Sequence, residues 1–145
     1  MKKYKVGIIG CGGIANWCHA PFYKADPRVE VVAVCDIILE RAEKYAADYF
    51  PGAEPIKDYK KLLARKDIDY VDICTPNYLH SEIAIAAFKA GKHVFCEKPD
   101  AVSPDKAIAM KEAADKAGKR LMIMRNNRFT DPSAYAKKFI EEGKM

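Results

Sequence analysis

Six residues near the amino terminus, Gly10-Cys11-Gly12-Gly13-Ile14-Ala15, have the types and spacing of a loop that holds a pyrophosphate. They follow a largely apolar run, Lys5-Val6-Gly7-Ile8-Ile9, and a second apolar run from Val29 to Cys35 ends on Asp36. The order reads as a strand, a Gly-x-Gly-x-x-Ala turn that opens a helix, a second strand and an acid at its tip. Gly10 permits the tight turn, Gly12 lets the backbone approach the pyrophosphate, and small Ala15 lets the helix pack against the strand. Gly13, Ile14 and Ala15 begin that helix, whose free N–H groups and positive dipole end suit an anion. Asp36 lies about 20 residues beyond Ala15, where a carboxylate accepts hydrogen bonds from a ribose diol. The pattern predicts a dinucleotide site. Asp36 favours NAD, because a carboxylate repels a 2′-phosphate; Ile37 and Ile38 follow it, and Arg41 keeps NADP as the second choice.

Such residues need a rigid sheet edge to hold them, and the rest of the chain supplies one. Helices are predicted over about 14–24, 39–49, 59–63, 79–90 and 104–117, and further strands over about 53–56, 70–74, 93–96 and 120–124. Gly91 serves as a left-handed cap, Ser103-Pro104 gives an N-cap followed by proline at the first helical position, and that helix ends at Gly118. The strands are short and continuously apolar, as when both faces of a parallel sheet are covered. Strict alternation predicts an α/β fold, an open, doubly wound parallel sheet of Rossmann type with strand order 3-2-1-4-5-6. Its carboxyl edge then carries Gly10, Asp36, Thr75, Glu97 and the segment after Met124.

The chain of 145 residues is about one domain long, half hydrophobic and 31% charged, which disfavours disorder. No apolar run approaches the roughly 20 residues of a membrane helix. The start, Met-Lys-Lys-Tyr-Lys-Val, superficially resembles a signal peptide but meets a glycine turn at once, so it reads as the first strand of a cytoplasmic protein. Net charge is +5, with lysines scattered over helical faces, which speaks against nucleic-acid binding. Cys11, Cys18, Cys35, Cys74 and Cys96 form no close pair, so neither a disulfide framework nor a metal site is expected. His19, His93 and Trp17 read as structural.

Two further motifs, Thr75-Pro76-Asn77-Tyr78-Leu79-His80 after strand four and Glu97-Lys98-Pro99 after strand five, complete a recognisable set. With the glycine turn and Asp36, they resemble the Gfo/Idh/MocA family of nicotinamide-dependent oxidoreductases, which act largely on sugars, inositols and related polyols. The resemblance implies that Thr75, Pro76, Asn77 and His80 line the cofactor cleft; on local grounds alone, Asn77 would cap the next helix. It also implies that Lys98 is the catalytic residue, reaching the nicotinamide and the substrate's reacting oxygen, where an ammonium stabilises developing negative charge. Glu97 would orient Lys98 or bind the nicotinamide ribose. Asp100 departs from the apolar residue usual there.

The resemblance divides the chain into a dinucleotide-binding domain over 1–125 and, over 126–145, a linker and first helix toward a carboxy-terminal substrate domain. That second domain would carry most of the substrate pocket, the histidine acting as general acid or base, and commonly an oligomer interface. Two readings follow: the cofactor domain of an NAD(P)-dependent sugar or polyol dehydrogenase, or a stand-alone, catalytically silent NAD-binding or sensor module. The second gains if the face carrying Phe139 and Ile140 folds back onto the sheet.

Overall fold

A computed structural model describes residues 3–144; Met1 and Lys2 of the basic start, and Met145, lie outside the described residues. Six parallel strands form one sheet in the order β3-β2-β1-β4-β5-β6. They are β1 (Tyr4–Ile9), β2 (Val29–Cys35), β3 (Glu54–Ile56), β4 (Tyr70–Ile73), β5 (His93–Cys96) and β6 (Leu121–Ile123). The helices are α1 (Ala20–Ala25), α2 (Leu39–Tyr49), α3 (Tyr59–Ala64), α4 (His80–Lys89), α5 (Pro104–Ala117) and α6 (Asp131–Glu141). This is the doubly wound α/β architecture that the alternation predicts. The winding reverses between β1 and β4, which places a crevice at their carboxyl ends.

Side chains alternate across the pleat and bury both faces. Val6 and Ile8 of β1 pack with Ala20, Tyr23, Ala42 and Tyr45 from α1 and α2. Ile9, Val71, Ile73 and Val94 pack with Leu62, Ile83, Phe88 and Met110 from α3, α4 and α5. The register of β1 on β2 slips by one residue: Val6 pairs with Val31 but Gly7 with Ala33. The extra residue is Val32, which lets β2 send Val31 and Val34 to one layer and Val32, Ala33 and Cys35 to the other.

Local signals fix most boundaries. The Asp58 side chain caps α3 by accepting from the Lys60 N–H at 2.9 Å. Ser103 caps α5, and Gly118 ends it at φ 62°. Two expectations change. The first helix is not one regular α-helix: Ala15–His19 is a π turn that runs into α1. Pro21 explains this, because it has no N–H to donate and its ring crowds the carbonyl one turn back, so the helix widens. Asn77 does not cap α4 with its side chain; it opens a 3₁₀ turn, Asn77–Leu79, that leads into the helix. Among the described residues, no helix is long and apolar enough to cross a membrane.

The tail behaves differently from the rest. After β6 the chain makes a 3₁₀ turn, Asn126–Phe129, and then α6, neither of which buries a residue. Phe129, Tyr135 and Ile140 are exposed, and so is Met122 on the adjacent edge strand.

Candidate functional site

Backbone hydrogen bonds lace the strand tips into one edge. Gly10 N–H donates to the Cys35 carbonyl at 2.7 Å, Cys74 N–H to Ile9 at 2.8 Å, and Glu97 N–H to Ile73 at 2.9 Å. At the centre, Gly10 adopts φ +98°, and a Cβ built on it would stand 2.8 Å from the Cys74 carbonyl carbon and oxygen. The glycine turn and the Thr75 turn are therefore in direct backbone contact, and only glycine fits. Gly12 differs: a Cβ there would meet nothing within 4 Å, so its backbone faces open space. The Asn16 side chain ties this turn by donating to the carbonyls of Cys11 at 3.1 Å and Gly12 at 2.6 Å.

Asp36 holds the tip of β2 against the same turn. Its carboxylate, only 7% exposed, accepts from the N–H of Cys11 at 3.1 Å and of Ile38 at 3.0 Å. The Arg41 guanidinium stands 3.4 Å from both of its oxygens. Ile37 beside it is exposed. Gly13 is exposed and Ile14 half-buried at the start of the helix. Ala15 is fully buried, and its carbonyl accepts from the Tyr45 hydroxyl at 3.0 Å, so it serves the approach of helix to sheet.

Across the crevice, Pro76 and Asn77 are exposed, and Thr75 is half-buried with a hydroxyl that finds no partner among the described residues. His80 is turned inward. Its ring nitrogens lie 2.7 Å from the Pro99 carbonyl and 2.8 Å from the Thr75 carbonyl. The side chain expected to line the cofactor cleft instead braces the two turns that border it, so that both polar atoms of the ring are already engaged.

Lys98 is exposed and, with Pro99, Met124, Arg125, Asn126, Asn127 and Arg128, lines a cleft of about 520 Å³ between the tips of β5 and β6. Asp100, the departure from the family pattern, accepts from the Arg125 guanidinium at 3.0 Å and so ties the two walls together. Glu97 faces the other way. It is 6% exposed; one oxygen accepts from the Lys98 N–H at 3.0 Å, and the other lies 3.0 Å from His19 Nε2.

That histidine was not singled out by its sequence neighbours, yet both of its ring nitrogens face buried carboxylates. The wide π turn brings it, 2% exposed, over β4 and β5, with Nδ1 2.6 Å from an Asp72 oxygen. A neutral imidazole has one N–H and cannot donate to two carboxylates; an imidazolium can. Burial pushes its pKa down, but hydrogen bonds to Asp72 and Glu97 and their charges outweigh this and lift it to about 9. Because the folded value lies above the unfolded one, the stabilisation is full below pH 6.5 and fades as pH rises through about 9. The loss is expected to reach about 3 kcal/mol, read as a falling urea midpoint across that window. The sequence signal that could have found the pair is Asp72 itself, an acid inside the apolar strand Val71-Asp72-Ile73.

The four buried thiols behave as small apolar groups. Burial, first of all, pushes Cys11, Cys35 and Cys96 up to about 12 and Cys74 well above its usual value. Cys74 lies 3.5 Å from His19 Nδ1, near Asp72, but the 2.6 Å contact of imidazole and carboxylate is a hydrogen bond with no room for an ion between them.

Comparison with known proteins gives these features a family. Residues 4–125 match the oxidoreductase family with the NAD-binding Rossmann fold, Gfo/Idh/MocA. Levoglucosan dehydrogenase of Pseudarthrobacter phenanthrenivorans is 39% identical over 150 residues, covering 99% of this chain and 38% of that protein. D-glucoside 3-dehydrogenase of Escherichia coli is 39% identical over 125 residues, covering 86% of this chain and 35% of its own length. Among solved structures, a dehydrogenase from Chromobacterium violaceum in complex with NADH and UDP-GlcNAcA superposes with a TM-score of 0.91 at 32% identity, over 98% of this chain and 41% of that one. A 3-ketoreductase from Actinomadura kijaniata in complex with TDP-benzene and NADP gives 0.89 at 32% identity, over 98% and 44%. The chain thus spans well under half the length of these relatives. With its glycine turn, its acid-tipped second strand and its Glu97-Lys98-Pro99 corner, it belongs to the Gfo/Idh/MocA oxidoreductase family and carries that family's NAD-binding Rossmann fold.

Proposed function

We propose that the chain is the cofactor-binding domain of an enzyme that transfers hydride between NAD and a sugar, inositol or related polyol. The observation that carries this is the open backbone at Gly12 beside the buried carboxylate of Asp36, on one sheet edge. A dinucleotide fits these residues: a pyrophosphate can approach Gly12, where no side-chain atom intrudes, and Asp36 keeps lone pairs for a ribose diol. The nicotinamide, when bound, supplies the hydride acceptor. Lys98, which lines the cleft with Arg128, would as an ammonium stabilise negative charge on the substrate's oxygen.

A substrate wall is not among the described residues. The exposed apolar groups of α6 and of Met122 support a second domain that follows residues 126–145 and covers them. A stand-alone module would be expected to fold α6 onto its sheet, whereas α6 buries nothing. The test is calorimetric titration of the chain with both dinucleotides. NAD is expected to bind about tenfold or more tightly than NADP, because Asp36 repels the 2′-phosphate. Equal affinities, or a preference for NADP, would contradict the assignment to NAD and give Arg41 the leading role.

A further inference from the structure

We infer that His19 is a positioning residue: as an imidazolium clamped between Asp72 and Glu97, it fixes the Glu97 carboxylate that holds the Lys98 backbone at the edge of the cleft. The chain of contacts is continuous. Asp72 Oδ2 accepts from His19 Nδ1 at 2.6 Å, His19 Nε2 donates to Glu97 Oε1 at 3.0 Å, and Glu97 Oε2 accepts from the Lys98 N–H at 3.0 Å. Every member except Lys98 is nearly excluded from solvent. Glu97 therefore points down into the fold toward His19.

Two features make the imidazolium more than packing. Among the described residues the second Asp72 oxygen has no hydrogen-bond partner, and His19 is the cation in contact with this buried acid. Loss of its proton would leave two buried carboxylates facing one ring with a single N–H, and Glu97 would have to turn or take up a proton. In the first case the Lys98 turn would lose its anchor; in the second the anchor would weaken, because a neutral carboxyl is a poorer acceptor than a carboxylate. The link rests on long-range pairing, 53 and 78 residues apart in sequence, which no local helix or strand requirement explains.

The surroundings leave His19 as the group that titrates near pH 9. Around the cluster stand Tyr70 from β4 and Cys74 just after it, Cys96 and the Phe95 ring from β5, Tyr23 from α1 and Tyr45 from α2, with Cys11 of the glycine turn beyond Cys74. Burial pushes each of these thiols and phenols up, to about 12 for Cys11, Cys96 and Tyr70, so they stay neutral while the imidazolium loses its proton.

The significance for cofactor chemistry rests on the proposed NAD-binding reading, and the test separates the two. Nuclear magnetic resonance of the chain follows the His19 ring nitrogens and the Lys98 amide as pH is raised. Both are expected to move with one midpoint near 9, and Asp72→Asn to bring both midpoints down together. In His19→Gln the Lys98 amide should lose this pH dependence. As a second readout, NADH is expected to bind about tenfold more weakly above the midpoint than below it, the scale of one hydrogen bond to a charged group. A His19 ring titrating like a free imidazole, a Lys98 amide indifferent to it, or NADH bound equally on both sides of the midpoint would overturn the inference. Should NADH bind at neither pH, the cofactor reading fails, and the Lys98 amide alone decides whether His19 positions the turn.

Discussion

Replacing Asp36 with alanine is expected to weaken NAD binding by about 10- to 100-fold, the effect of removing hydrogen bonds to a charged group. The carboxylate has two tasks. Two of its acceptor sites are spent on the N–H groups of Cys11 and Ile38, which hold the β2 tip against the glycine turn. The remaining lone pairs are what a ribose diol would use. The substitution therefore also leaves the buried Cys11 N–H without its acceptor, at a cost of about 1–3 kcal/mol. Titrations well below the unfolding transition keep the two effects apart. The loss should be selective. Arg41, now 3.4 Å from Asp36, would be released by the same change and left to face a 2′-phosphate. NADP affinity is expected to rise while NAD affinity falls, so that the ratio of the two dissociation constants reverses. A parallel fall for both dinucleotides would mean that Asp36 acts through the turn alone.

Gly10→Ala should be the most damaging small substitution at the site. At φ +98° an L-residue costs about 1–2 kcal/mol, and the added Cβ would stand 2.8 Å from the Cys74 carbonyl. That carbonyl is backbone, in the strand-tip lattice where Cys74 N–H bonds Ile9, and it cannot swing aside as a side chain would. A total loss of about 3 kcal/mol or more is expected from equilibrium unfolding in urea. Two residues away the same change should be nearly silent for stability, within about 0.5 kcal/mol, because a Cβ on Gly12 meets nothing. Equal destabilisation at the two positions would contradict this picture of the turn.

The ease with which the sequence discloses the sheet, and not the buried charges, has a physical basis. Strand order was legible because each strand is a short apolar run closed by its own stop: Pro76 after β4, Pro99 after β5, Gly91 and Gly118 after the helices. The place of Asp36 at the tip of β2 was legible because it depends on the length of one βαβ unit, which sequence spacing records. The π turn was not, since it arises from the clash of the Pro21 ring with a helix that must also pack on β1. His80 reads as a cleft residue from its motif, but the 3₁₀ turn over Asn77–Leu79 rotates it inward between the Thr75 and Pro99 carbonyls. His19 looks ordinary among its neighbours; what makes it exceptional comes from β4 and β5, far along the chain. The acid at Asp72 was the visible half of that pair, and an uncompensated charge in an apolar strand is a reason to look for a distant partner.

The open backbone at Gly12 is the proposed seat of the dinucleotide. The most direct test is calorimetric titration of NAD into the chain and into its Gly12→Ala variant, with the unfolding midpoints measured side by side. The chain is expected to bind NAD, and the variant, with an unchanged midpoint, to bind at least about tenfold more weakly, because its methyl group occupies the approach to the pyrophosphate. Equal affinity in the two proteins would contradict it and place the cofactor, if bound at all, away from the glycine turn.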